Sequence, residues 1–237
     1  MKIRKTYQTI YIILFYVMLG YPSFASEDGQ GVILGSCATH AIENDNRTIN
    51  IEQALNKLHG RVINPGTVFS FNWVVGPRTV RRGFLPAPVL FQDKKSIQIG
   101  GGICQVSSTL YNAVLLAGLE VSERYRHSSP INYLPLGLDA TVVYGYKDLK
   151  FKNIHPFPIY IMTSLTENTM TVSIMGKEKL SYDVDLVTRV TEIESPFPGS
   201  LSETGKEVMR YRIKRKNGVV IEKEYLGRDY YHPIKGN

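Results

Sequence analysis

The sequence predicts an α+β protein: a small mixed domain with a buried central helix that bears a cysteine at its N-terminus and packs on antiparallel strands, followed by a C-terminal β hairpin appendage. Three observations carry this expectation. Apolar residues recur at helical spacing from Val106 to Ala117, directly after Gly100-Gly101-Gly102-Ile103-Cys104. Short runs rich in β-branched and aromatic residues follow that helix. Lys216-Asn217-Gly218 then separates two more such runs, as a hairpin turn does. The 237 residues suit one sizeable domain with a small appendage, and 43% hydrophobic with 21% charged residues is an ordinary globular balance, which argues against a disordered, collagenous or coiled-coil chain.

The first segment, 1–25, reads as a secretory signal peptide. Lys2, Arg4 and Lys5 are its cationic start, Ile10 to Leu19 is a short apolar core, and Ser23-Phe24-Ala25 supplies small residues for cleavage. An uncleaved anchor is the alternative reading. No other apolar run is long enough to cross a bilayer, so the remainder is expected to be exported, in the cell envelope or beyond it, with the outer face of the cytoplasmic membrane as a neighbour if the segment is kept. The net charge is +7, and basic clusters lie at Arg78–Arg82 and Arg210–Lys216. In an exported chain these point to anionic wall polymers or lipid head groups and not to nucleic acid, although a plain solvated surface explains them equally well.

Two cysteines, Cys37 and Cys104, are present. An exported pair can form a disulfide, but one pair in a large domain says little. Leu34-Gly35-Ser36-Cys37 mimics a lipoprotein box, yet Ser26 to Gly31 separate it from the apolar run, so Cys37 is read as a small buried or strand residue.

Further along, Asn50 to Gly60 is expected to be a helix, with Asn50 as its cap and Ile51, Ala54, Leu55 and Leu58 on one face. Asn64-Pro65-Gly66 is a turn, and Val68 to Val75 alternates like a strand. Pro77 to Pro88 is a loop-rich stretch holding the arginines. The central helix begins near Cys104 and ends at Gly118. Leu119–Arg126, Ala140–Tyr146, Pro158–Thr163 and Met170–Met175 are the expected strands, and Val208–Ile213 and Val219–Tyr225 flank the hairpin turn after Pro196-Phe197-Pro198-Gly199. No repeat of fixed period is present.

The chemistry centres on Cys104. A cysteine at a helix N-terminus meets the positive end of the helix dipole and unpaired N–H groups, which favour the thiolate and can stabilise an oxyanion. Gly101 and Gly102 would let a substrate backbone approach, and Gln105 would add an amide donor. His127, after the first strand, is the candidate base, and Asp139, at the mouth of the next, would fix its ring. Ser107, Ser108, Arg126 and Tyr133 complete the expected substrate-binding set. Each residue also has a plainer explanation: a packed thiol, a loop cap, a strand-end cap. His40, His59 and His155 are rivals to His127. No ligand spacing suggests a metal, Ser107, Ser108 and Thr109 lack the glycines of a serine nucleophile elbow, and no cofactor is implied.

The run Gly-Gly-Gly-Ile-Cys-Gln-Val-Ser-Ser-Thr-Leu-Tyr-Asn-Ala from Gly100 to Ala113 resembles the signature of the VanW family. The resemblance extends through Arg47–Ile51, Asn64–Asn72, Glu123-Arg124, His127-Ser128, Tyr133–Val142 and Asp148–Asn153, over about residues 33–180. It implies a VanW-like domain at 33–180, leaving 181–237 as a β-rich appendage that looks like the tail of some members. The family tyrosine near the domain start is Cys37 here, a departure read as structural. Some members are implicated as peptidoglycan L,D-transpeptidases using this cysteine, which implies Cys104 as nucleophile and stem peptides as substrate, with no metal required. Two other functions stay open: a cysteine peptidase of wall peptides, with water as acceptor, and a non-catalytic wall- or glycopeptide-binding protein associated with vancomycin resistance. The oligomeric state stays open too.

Overall fold

The computed structural model describes residues 8–11, 25–26, 29–41, 44–91, 94–193 and 205–231. Most of the signal-like segment and the run Pro196-Phe197-Pro198-Gly199 lie outside these residues. In chain order, Gln8–Tyr11 (β1), Ala25–Ser26 (β2) and Gly29–Gln30 (β3) precede Val32–His40 (β4) and the helix Asp45–Leu58 (α1). Arg61–Ile63 (β5), Val68–Ser70 (β6), the short helix Phe71–Val75 (α2), a 3-10 turn at Val80–Arg82, Pro86–Phe91 (β7) and Lys94–Ile99 (β8) lead to the central helix Ile103–Leu116 (α3). Glu120–Glu123 (β9), Lys150–Lys152 (β10), Ile159–Thr166 (β11), Thr169–Gly176 (β12), Asp183–Ile193 (β13), Gly205–Lys216 (β14) and Val219–Tyr231 (β15) follow. Among the described residues no helix is long and apolar enough to cross a membrane.

The α+β architecture is the one the sequence predicts. α3 is buried on nearly all sides, including its polar residues Gln105, Ser107, Ser108, Thr109 and Asn112. It packs on the antiparallel sheet ordered β4-β12-β11-β5, beside α1. Val172 and Ile174 of that sheet, with Leu110 and Val114 of α3, belong to one continuous core. A second antiparallel sheet, β1-β13-β14-β15, reaches α3 from elsewhere: Arg212 donates to the carbonyls of Leu115 and Leu119 at 3.3 and 2.7 Å, and Arg210 donates to Tyr111 Oη at 2.7 Å. The C-terminal unit is therefore larger than the expected hairpin, because β13 adds a strand that its sequence did not signal.

Three expectations are corrected locally. α1 starts at Asp45, capped by the Asn44 side chain, which accepts from Arg47 N at 3.0 Å; Asn50 lies inside the helix and is buried. The Val68–Val75 alternation breaks at Ser70, whose hydroxyl accepts from Trp73 N at 3.0 Å and starts α2, leaving Trp73 81% exposed. Ala140–Tyr146 is not a strand: it makes only the isolated bridges Tyr125–Thr141 and Val143–Lys147. Asp148, just beyond that stretch, holds the α2 start, accepting from Ser70 Oγ at 2.6 Å and Asn72 N at 2.8 Å.

Candidate active site

The site is built from the glycine turn outward. Gly102 caps α3 with φ +105°, a backbone conformation that side chains disfavour. Gly101 is pressed onto β7 so closely that a Cβ would sit 2.7 Å from Ala87 O and 2.8 Å from Pro88 O. Asn50 secures the turn: its amide donates to Gly101 O at 3.0 Å and Leu85 O at 2.9 Å, and its carbonyl accepts from Leu85 N at 2.7 Å. The chain thereby enters α3 in a fixed direction, and Cys104 becomes its second residue. There the Ile103, Gln105 and Val106 N–H groups already donate to Gly100 O and Gly102 O, at 3.2, 3.0 and 3.3 Å, and the dipole favours negative charge at Cys104.

The Cys104 sulfur lies 3.4 Å from Thr141 Oγ1 and 3.6 Å from the Val142 carbonyl. His127 lies close enough to couple to it electrostatically. His127 Nδ1 is 2.6 Å from Asp139 Oδ2, which leaves Nε2 as the ring nitrogen not engaged by the carboxylate. Asp139 is buried and gathers four donors on its carboxylate: His127 Nδ1 and backbone N at 2.6 Å each, Arg124 Nη2 at 2.9 Å and Tyr231 Oη at 2.6 Å. The structure thus brings Cys104, His127 and Asp139 together, with His127 hydrogen-bonded to Asp139 and electrostatically coupled to the thiol.

Electrostatics follow from these contacts. Burial opposes the Cys104 thiolate, but the influence and charge of His127, then the Thr141 hydroxyl and the Val142 backbone, outweigh it and bring the thiol down to about 7. Burial likewise opposes the imidazolium, and Asp139 and Cys104 overcome it, raising His127 to about 9. Asp139 also resists burial: His127 and the Arg124 guanidinium hold it well below the usual carboxylate range. Between pH about 7 and about 9 the pair is therefore thiolate and imidazolium. Arg78 packs against Gly100 and Arg47 against Gly102, and both feel the charge on Cys104.

The remaining expected residues have other partners, and most of them brace the site. Gln105 is buried: its amide donates to His40 O at 2.9 Å and Thr39 Oγ1 at 3.2 Å, and Arg47 donates to its carbonyl at 2.9 Å, so it offers no oxyanion donor. Ser107 and Ser108 are buried and tie Ala140 to the helix, donating to its carbonyl at 2.6 and 3.2 Å. Gly101 and Gly102 face the protein's own β7 and α1, not a substrate backbone. Arg126 donates to His127 O at 2.7 Å and lies over the Tyr231 ring. Tyr133 does stand by the site, close enough to Cys104 to sense its charge; burial raises its hydroxyl. Of the rival histidines, His155 bonds the Ala117 carbonyl at 2.9 Å, His59 meets Thr163 at 3.0 Å and His40 meets Thr169 at 3.4 Å, all away from the thiol. Cys37 is a free thiol on β4, pushed up to about 12 by burial. Sequence reasoning missed Thr141 and Tyr231. Thr141 follows Asp139 by two residues and faces the thiol from the same segment, a proximity the motif contains; Tyr231 carried no local signal.

A family model described as VanW-like protein matches residues 46–175, more than half of the chain. The chain belongs to the VanW-like family. The matched segment holds Cys104, His127 and Asp139 and ends before the C-terminal sheet. The uncharacterized protein YoaR of Bacillus subtilis is 39% identical over 138 residues, 58% of this chain and 46% of that protein. The vancomycin B-type resistance protein VanW of Enterococcus faecalis is 32% identical over 122 residues, 47% of this chain and 42% of that protein. The chain thus spans less than half the length of these VanW-like relatives. No solved structure gives a significant match.

Proposed function

We propose that the protein is an exported cysteine acyltransferase of peptidoglycan stem peptides, cross-linking them as an L,D-transpeptidase does. The observation that carries this reading is the placement of Cys104 at the start of α3 beside His127, whose ring Asp139 holds at 2.6 Å; the shifts of the two groups towards thiolate and imidazolium agree with it. A thiol that merely packs has no need of such partners, because burial alone pushes it up, as at Cys37.

The Cys104 thiolate attacks the carbonyl carbon between the diamino acid and the terminal D-alanine of a tetrapeptide stem. The Cys104 N–H and the positive end of the α3 dipole stabilise the oxyanion. The tetrahedral adduct collapses with cleavage of the C–N bond, His127 protonates the departing amine, and a thioester remains. The side-chain amine of a second stem then attacks the thioester, giving its proton to the now neutral His127 as the thiolate leaves. One amide is broken and one is made, with no redox change. Arg47 and Arg78, on either side of the glycine turn, give the site the positive field that a stem carboxylate needs. A relative named for vancomycin resistance supports a wall-directed role. Cross-links made without a D-alanyl-D-alanine donor fit such a setting chemically.

The test incubates the purified protein with tetrapeptide muropeptides and separates the products by mass. Cross-linked dimers are expected from the wild type and none from Cys104→Ala. Dimers from the alanine variant, or unaltered muropeptides from the wild type, overturn the proposal. Tripeptide product alone identifies water as the acceptor and a hydrolase in its place.

A further inference from the structure

The family-matched segment ends at residue 175, yet one of the four donors to Asp139 comes from residue 231. We infer that the C-terminal sheet is part of the site: Tyr231 and Asp229 of β15 are positioning residues that hold Asp139, and through it His127, against Cys104.

The geometry is specific. Tyr231 Oη donates to Asp139 Oδ1 at 2.6 Å and accepts from Gly137 N at 3.0 Å, so one hydroxyl fixes both the carboxylate and the backbone turn leading into it. Tyr231 is almost fully buried, and the Arg126 guanidinium lies over its ring. Two residues away, Asp229 receives Arg124 Nη1 on both oxygens, at 2.8 and 2.7 Å, while Arg124 Nη2 reaches Asp139 at 2.9 Å. Arg124 is thus a fork with one tine on each carboxylate. Arg210 adds a further ion pair to Asp229 at 3.1 Å. Alternation on β14 turns Val208, Arg210 and Arg212 to one face, and Val208 pairs with Asp229 while Lys206 pairs with Tyr231. That face packs on α3 and on Gly137, where a Cβ would sit 2.8 Å from Val208. Ordinary sheet packing has no requirement for a buried aspartate and a tyrosine hydroxyl at this spot; unpaired, each is costly.

The charged and titratable groups around Asp139 are His127, Arg124, Tyr231 and Tyr133, with Cys104 beyond the ring, Asp229 beyond Arg124 and Arg126 over the Tyr231 ring. This fixes the signs for two substitutions. Tyr231→Phe removes a donor, so Asp139 becomes a stronger acceptor and grips the His127 proton harder. Asp229→Asn removes the charge that balances Arg124 and Arg210, so the surplus positive field disfavours the imidazolium.

The inference rests on the same triad but not on acyl transfer, so the readout is the His127 ring itself. In the full chain, the His127 Cε1–H resonance is followed against pH and assigned by its loss in His127→Gln. Its midpoint is expected to rise in Tyr231→Phe and to fall in Asp229→Asn, each by about half a unit or more. Opposite displacements are something general loosening of the fold does not produce, since loosening returns both midpoints towards about 6.5. Unmoved midpoints, or two falls, overturn the inference. Should Asp229→Asn not fold, Tyr231→Phe decides alone: a rise supports the inference, and no change or a fall ends it. Failure of the muropeptide assay leaves this result untouched, and the converse holds as well.

Discussion

At the scale of single residues, the site is a contest between burial and partners. Burial raises the Cys37 thiol to about 12, whereas Cys104, with His127, Thr141 and the Val142 backbone around it, falls to about 7. The two thiols should therefore separate cleanly in a labelling experiment: iodoacetamide at pH 7.5 is expected to modify Cys104 fast and Cys37 hardly at all, read by peptide mass. If acyl transfer follows the proposed route, turnover needs thiolate and imidazolium together. The rate should rise as pH passes about 7, where Cys104 ionises, and fall past about 9, where His127 loses its proton. A flat profile between pH 6 and 10 would contradict the ion pair. That Cys104, His127 and Asp139 stand close together was legible in the sequence, because each carries a chemical type that the proposed acyl transfer would use and lies near the start of α3 or in the segment that follows it. Gln105, Ser107 and Ser108 turn away from any substrate because adjacency to Cys104 does not reveal direction: on a helix buried all round, most side chains point into the protein.

Elements decide how firmly that direction is held. The glycine turn works by contact: Gly101 leaves room for β7, and Asn50 of α1 stitches the same turn from the opposite side. Gly101→Ala should therefore cost about 1–3 kcal/mol, as overpacking does, because the neighbours are backbone atoms that cannot rotate away. Urea unfolding checks this, and an unchanged midpoint would refute it. The helices were readable as helices, but their starts were not. Asn50 and Asn44 are both good caps on paper; Asn44 has the extended backbone of a cap, and Asn50 is needed inside for Leu85 and Gly101. Likewise Phe69 and Phe71 alternate like a strand, while Ser70 between them begins a new helix. Periodicity reports which residues are apolar, not where a hydroxyl will find a free N–H.

For the molecule as a whole, the ionised site couples chemistry to stability. Asp139 has its carboxyl held below its unfolded value of about 3.9, so it contributes stability above that pH and loses it as pH falls further. His127, raised to about 9, contributes fully below about 6.5 and loses its share as pH rises through 9. Cys104, depressed to about 7, acts in the opposite sense over nearly the same interval, so the alkaline side of the stability curve is blunted while the acid side is not. Asp139→Asn should lower stability near neutral pH and flatten the curve below about pH 4, measured as thermal midpoints across a pH series; an unflattened acid limb would refute this. The overall fold class was legible because α3 and the later strands are strongly patterned. The role of the C-terminal sheet was not, because Tyr231 and Asp139 are 92 positions apart and nothing local to either announces the other.

The forked contact of Arg124 has a practical consequence for anyone who would transplant this domain. A chimera spliced at the family boundary would carry the cysteine, the histidine and the acid, and would look whole on an alignment. It would also carry an arginine with one arm reaching for a carboxylate that had been left behind. The unit that can be moved between proteins is therefore longer than the unit that can be recognised.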